Sequence, residues 1–304
     1  MSVDRVSEDA AGDLDADIYV PDGVAVPPAL ERTTDLGIGA HPDDLEFLML
    51  VPIAHCQQDP QRSFTGITCT DGAGSARSGR FASLSDAQMV AARAAEQRAA
   101  AEVGGYGAMV QLGHASSAVR DPAGFAFLIA QLRDLLLATR PLNVYTHNLA
   151  DKHVTHVAVA AATIQAIRAL PVDARPHRLV GIEGWRDLDW LADHEKVSFD
   201  ATGLDELAAQ LAGCFASQIE GGKRYDLAEQ GRRRANATMR EPREVDEAEA
   251  VTVAMDLTPL IRNEDLHPAD YVGAAIDRLR RDVTGGLARY FPDEDRGSGR
   301  GSAS

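Results

Sequence analysis

Cysteine is scarce. The chain has only Cys56, Cys69 and Cys214 in 304 residues, far apart and with no C-x-x-C among them. So odd and scattered a set excludes a disulfide framework or a thiolate zinc site as the organising feature. Positive charge is also short: 30 Lys and Arg stand against 46 Asp and Glu, a formal net charge of −16. Binding to a phosphate backbone rests on clustered Lys and Arg, so no nucleic-acid partner is expected. An anionic membrane surface would repel such a chain. No apolar run approaches a membrane span, and the first residues lack the apolar stretch of a signal peptide. The expectation is a cytoplasmic protein with no membrane partner. Neither G-x-G-x-x-G nor a P-loop follows the first strand, which argues against a nucleotide binder, and there is no internal repeat.

What is present is ordinary for a globular protein. Hydrophobic residues make up 45% and charged residues 25%, enough at this length for one large α/β unit. Residues 1–32 are acidic and proline-bearing and read as an extended arm. Residues 293–304 (DEDRGSGRGSAS from Asp293) read as a disordered tail. Between them, 33–292 form a single domain. β-like runs at 36–40, 63–70, 108–112, 142–146 and 178–182 alternate with helical stretches at 45–54, 85–103, 122–139 and 154–170. The helix from Ser85 opens with a capping box to Gln88. This alternation predicts an α/β, Rossmann-like three-layer fold with a mostly parallel sheet and its site at the carboxyl ends of the strands. The last third reads as strands at 196–199 and 251–255 and helices at 204–215 and 271–290, completing the same unit.

Two stretches carry chemistry. The first is Gly39-Ala40-His41-Pro42-Asp43-Asp44-Leu45-Glu46 on a strand-to-helix turn. His41 and Asp44, three apart, can reach one cation from the same side, leaving Asp43 free to handle protons. A helix start alone explains one or two of the carboxylates, not the His-Pro ahead of them. The second is Thr146-His147-Asn148-Leu149-Ala150-Asp151-Lys152-His153-Val154-Thr155-His156, again between a strand end and a helix start. His153 and His156 share a face on a first helical turn. A mononuclear zinc hydrolase needs three protein ligands and an open position; His41, Asp44 and one distal His supply them.

AHPDDLE resembles the signature of the PIG-L / LmbE-like family of metal-dependent N-deacetylases, and the resemblance extends over about residues 35–240. It implies one Zn²⁺ per chain and an N-acetylated sugar or glycoconjugate as substrate. The family's second motif, His-Pro-Asp-His, maps onto His153-Val154-Thr155-His156. His156 is thereby the third ligand and His153 the partner of the developing oxyanion, with Val154 and Thr155 replacing Pro and Asp. Asp151 is placed to compensate as the local carboxylate. Asp43 becomes the general base and then acid, and Glu46, Asp71 and Asp151 become orienting groups behind the site. Arg80 and Asp121 are the expected sugar contacts, with Trp185 as a stacking platform and His147 and His114 lining the site. Arg93 and Glu96 read as a pair along their helix, and Arg232-Arg233-Arg234 as a solvated face, the alternative being a contact for a phosphorylated or carboxylated substrate. The alternatives are an amidase for a larger acyl or thiol conjugate, a metal-dependent phosphoesterase, or a non-catalytic sugar binder. A homo-oligomer is compatible with the sequence.

Overall fold

The computed structural model describes residues 16–291. The expected tail lies outside them, as do residues 1–15 of the expected arm. The described remainder of that arm is structured: β1 (Asp17–Tyr19) pairs antiparallel at a sheet edge, and α1 (Val26–Glu31) carries prolines in its first turn.

Five parallel strands build the centre: β2 (Asp35–Gly39), β3 (Phe64–Thr70), β4 (Ala108–His114), β5 (Asn143–His147) and β6 (Arg178–Ile182). With β7 (Lys196–Asp200) and β8 (Val251–Asp256) the sheet order is β1-β4-β3-β2-β5-β6-β8-β7. Pairs β1–β4, β6–β8 and β7–β8 are antiparallel. The sheet is therefore mixed, which corrects the expectation of a mostly parallel one. The reason is physical: an αβ alternation codes for parallel crossovers only while it lasts, and it ends after β6.

Helices cover both faces. Alternation along β2 shows how: Leu36 and Ile38 belong to the core under α5 (Pro122–Thr139) and α6 (Val154–Arg168). Gly37 and Gly39 face the other way, toward α2 (Asp44–Leu48). A methyl on Gly37 would lie 2.6 Å from Phe64 Cζ and 2.8 Å from Met49 Sδ. The bare strand lets α2 press onto the sheet. The single helix expected over 45–54 is broken at Met49 into α2 and α3 (Leu50–Gln58). Helix α4 (Asp86–Gly104) keeps its capping box. Helix α5 is long and apolar enough to cross a membrane, but Leu128, Leu132, Leu135 and Leu136 are packed in the core.

The chain runs β2-β3-β4 to one side of β2 and then returns to place β5 on the other. The loops leaving β2 and β5 thus flank a topological switch point, where open sheets leave a crevice.

Candidate metal centre

The turn after β2 is tight. Asp43 adopts φ 99°, ψ −26°, left-handed backbone that costs a non-glycine residue about 1–3 kcal/mol. The twist turns Asp43 and Asp44 to different neighbours. Asp44 folds back: its Oδ2 accepts the His41 backbone N–H at 2.7 Å and lies 3.3 Å from His41 Nδ1. From the other loop, His156 Nε2 lies 3.3 Å from His41 Nδ1 and 3.5 Å from Asp44 Oδ1. Zn–N and Zn–O bonds of 2.0–2.1 Å subtend tetrahedral edges of about 3.3–3.4 Å. Each imidazole meets a different oxygen of Asp44, so the two ring nitrogens and the edge of the carboxylate fit one divalent ion, and two imidazoles with one carboxylate suit zinc.

The tautomer of His156 is fixed from behind. Its Nδ1 pairs with Asp151 Oδ2 at 3.2 Å, leaving Nε2 toward the site. Asp151 is itself held by backbone N–H groups of His153 (2.9 Å) and Trp185 (3.2 Å). It thus orients His156, not His153. Burial raises the Asp44 carboxyl, but the surrounding imidazoles of His156 and His147 outweigh it and hold it well below the usual range.

His147 and Asp44 with His156, or His153 with His41 and His156, also lie close enough to share an ion. The first set fails on chemistry: His147 Nε2 accepts the Ala40 backbone N–H at 2.9 Å, so its lone pair is taken. Burial drives His147 down to about 4; it is a neutral buttress and has no exposed surface for a substrate. His153 is half-buried, at the cleft wall. Burial, then the neighbouring His156 and His41, push it down to about 4, and its Nδ1 is buried with no partner.

Asp43 stands beside this set without joining it. Its Oδ2 pairs with Arg93 Nη2 at 3.0 Å and its N–H donates to Gln97 Oε1 at 3.0 Å. Burial raises the Asp43 carboxyl to about 8, with Arg93 opposing and Asp44 adding to the rise. Arg93 is almost fully buried and also donates to Pro42 O and Ser75 Oγ. It is thus a clamp on the turn, which corrects its reading as half of a pair with Glu96 along the helix. Glu96 goes elsewhere, accepting from Ser217 N–H and Oγ. An Arg on the inward stripe of an Ala-rich helix was the available signal.

The site opens into a cleft of about 620 Å³. Trp185 lines it, 42% exposed, with Lys223 Nζ 5.0 Å over its ring and Tyr225 edge-on. Ser116, Arg120, Glu229 and Arg232 complete the walls. The run at 232–234 is not one solvated face: Arg232 bonds Gly184 O beside the cleft, Arg233 is buried, and Arg234 pairs with Asp205 outside. Other expected residues lie off the cleft. Arg80 pairs with Glu220 at 2.7 Å, Asp121 caps α5 through the Ala123 N–H, and Asp71 braces its own loop at Ala73. His114 bonds Gln131. Glu46 turns behind α2 toward a second cavity, accepting from Tyr106 and Gln97.

Known proteins share this fold. The family model PIG-L, GlcNAc-PI de-N-acetylase, matches residues 36–167. Among solved structures, N,N'-diacetylchitobiose deacetylase from Pyrococcus horikoshii is similar at TM-score 0.58 and 16% identity, over 76% of this chain and 86% of that one. The A40926 pseudoaglycone deacetylase Dbv21 is similar at TM-score 0.52 and 19% identity, over 74% and 97%. The 4-carboxy-2-hydroxymuconate hydratase GalB from Pseudomonas putida KT2440 shares the fold at TM-score 0.58 and 18% identity, over 74% and 96%. No curated protein matches the chain significantly. Residues 36–167 thus carry the match to the PIG-L family model.

Proposed function

We propose that this protein is a zinc-dependent hydrolase that removes an N-acetyl group from an amino sugar or a sugar-linked conjugate. One observation carries the reading: His41, Asp44 and His156 converge at 3.3–3.5 Å while Asp43 stays beside them, uncoordinated and held by Arg93. A divalent ion on those three side chains supplies Lewis acidity and lowers the pKa of a water to ~7.

The chain's own groups do the rest. Asp43 takes the proton of the attacking water and returns it to the departing nitrogen, so one carboxyl serves as base and then acid. Arg93 keeps that carboxyl in place, since its guanidinium is tied to both neighbouring loops. His153 is neutral and carries one N–H, which donates to the carbonyl oxygen as negative charge builds there. Thr155 lies buried in the helix that follows, so no carboxylate in that motif charges His153. Asp151 serves the ligand His156. Trp185 offers an apolar platform to a sugar face, and Arg120, facing the cleft, takes the role expected of Arg80 and Asp121.

A hydratase shares this fold, so the site and not the fold must decide the reaction. The test is released acetate from a panel of N-acetyl sugars and glycoconjugates, with chelator and with Zn²⁺ restored. Release that stops with chelator and returns with zinc supports the reading; release indifferent to chelator overturns it.

A further inference from the structure

The closing helix α11 (Pro268–Ala288) leaves the body half-way along. Its first half is anchored: Ala275 is buried, Tyr271 donates to Asp256 O, and Arg278 pairs with Glu195. From Leu279 to Phe291 every residue is exposed. A free helix of this length is marginal in water, and Gly285 and Gly286 weaken it by about 1 kcal/mol each relative to Ala. Among the described residues, neither glycine has an atom from outside its own helix within 4 Å of where a Cβ would stand.

The free part is not polar. Ile276, Leu279, Val283, Leu287 and Tyr290 are 39–78% exposed and fall on one narrow stripe at helical spacing, the width of a two-helix seam rather than a broad apolar face. The stripe is palindromic in kind: Leu279 and Leu287 lie four residues either side of Val283, Ile276 and Tyr290 seven either side. Reversed on itself about Val283, it superposes. Charge follows the same polarity. Residues 264–277 carry Glu264, Asp265, Asp270 and Asp277 without Lys or Arg, and residues 278–291 carry four Arg against Asp282. An antiparallel copy lays the Arg-bearing half of one helix along the acidic half of the other, while Asp277 itself pairs with Arg280 of its own helix at 3.2 Å. The segment beyond, 292–304, has no large apolar side chain to cover the stripe.

We propose that α11 is a dimerisation helix whose occupant is a second copy of this chain, paired antiparallel about a two-fold axis at Val283. Isologous pairing is what a self-complementary stripe permits. Val283 packs on the partner's Val283, Leu279 on the partner's Leu287 and Ile276 on the partner's Tyr290. Gly286, on the flank of the stripe, leaves room for the partner backbone. The proposal stands apart from the assigned reaction.

Sedimentation of the full chain over a wide dilution series is the test. A dimer is expected, with Val283→Asp raising its dissociation constant about a hundredfold or more, because one substitution removes two apolar contacts. Val283→Cys should give a disulfide-linked dimer under mild oxidation. Ile276→Cys should not, since its mates would lie about 20 Å apart along the antiparallel pair. A monomer at every concentration, a dimer indifferent to Val283→Asp, or equal cross-linking at residue 276 would each overturn the proposal. So would a monomer that floats with anionic vesicles and loses that binding in Val283→Asp, which would make the face a membrane contact.

Discussion

Asp43 bears most of the chemistry and is the residue least comfortable in its place. Left-handed backbone and burial beside a second carboxylate both disfavour it, and Arg93 answers both. Removing the carboxyl as Asp43→Asn should lower turnover about 10²–10⁴-fold while one metal per chain is retained, read as acetate release alongside metal content. Arg93→Met leaves a buried carboxylate alone and should cost about 3–5 kcal/mol in denaturant unfolding, with kcat falling as well. Asp151→Asn should weaken metal affinity about 10–100-fold without unfolding the chain, read by chelator competition. At this scale the sequence spoke unevenly. His41, Asp43, Asp44 and His156 stood out because short spacing put acids and imidazoles where a helix start needs fewer. Arg93 did not, because an Arg three residues before a Glu on an alanine-rich helix reads as one half of a pair along that helix. Arg80 and Asp121 misdirected for a similar reason: position in a loop does not tell which way a side chain turns, and both are occupied by local partners.

Elements place these residues through β2. Its glycine face lets α2 sit on the strand, so Gly37→Ala should force Phe64 and Met49 apart and cost about 1–3 kcal/mol, with metal affinity weakened because Asp44 rides on α2. At the far end of the same strand, Asp35 is fully buried and accepts from Arg62, Asn143 and Tyr145. Burial raises its carboxyl, yet the Arg62, Thr34 and Tyr145 hydrogen bonds outweigh that and hold it below the usual range. A depressed carboxyl stabilises above the unfolded-state pKa, and that share is lost as pH falls through the folded value. Asp35→Asn should therefore be less stable than the parent at neutral pH, with the gap closing in acid, followed by urea midpoints. Most strands and helices were legible from periodicity. β1 and α1 were not, because three-residue and six-residue elements with prolines carry no period. The antiparallel β6–β8–β7 edge was hidden as well, since side-chain alternation reports faces and not strand direction.

At the scale of the molecule, an acidic chain surrounds a cleft whose walls include Arg93, Arg120, Lys223 and Arg232. The sheet's switch point brings together His41 and His156, 115 residues apart, and neither loop holds a complete ligand set alone. That convergence is what the sequence could announce only in halves: each loop showed donors, and the fold supplied the distance between them. The match to the family model ends just beyond the second of these loops, and the fold's hosting of both deacetylases and a hydratase leaves the donor set as the deciding feature. The most direct measurement is an anomalous-difference map from a zinc-soaked crystal. One peak is expected within bonding distance of His41 Nδ1, an Asp44 oxygen and His156 Nε2, with the Asp43 carboxyl outside that distance. A peak held by His147, a peak bonded to Asp43, or no peak between the two loops would contradict it.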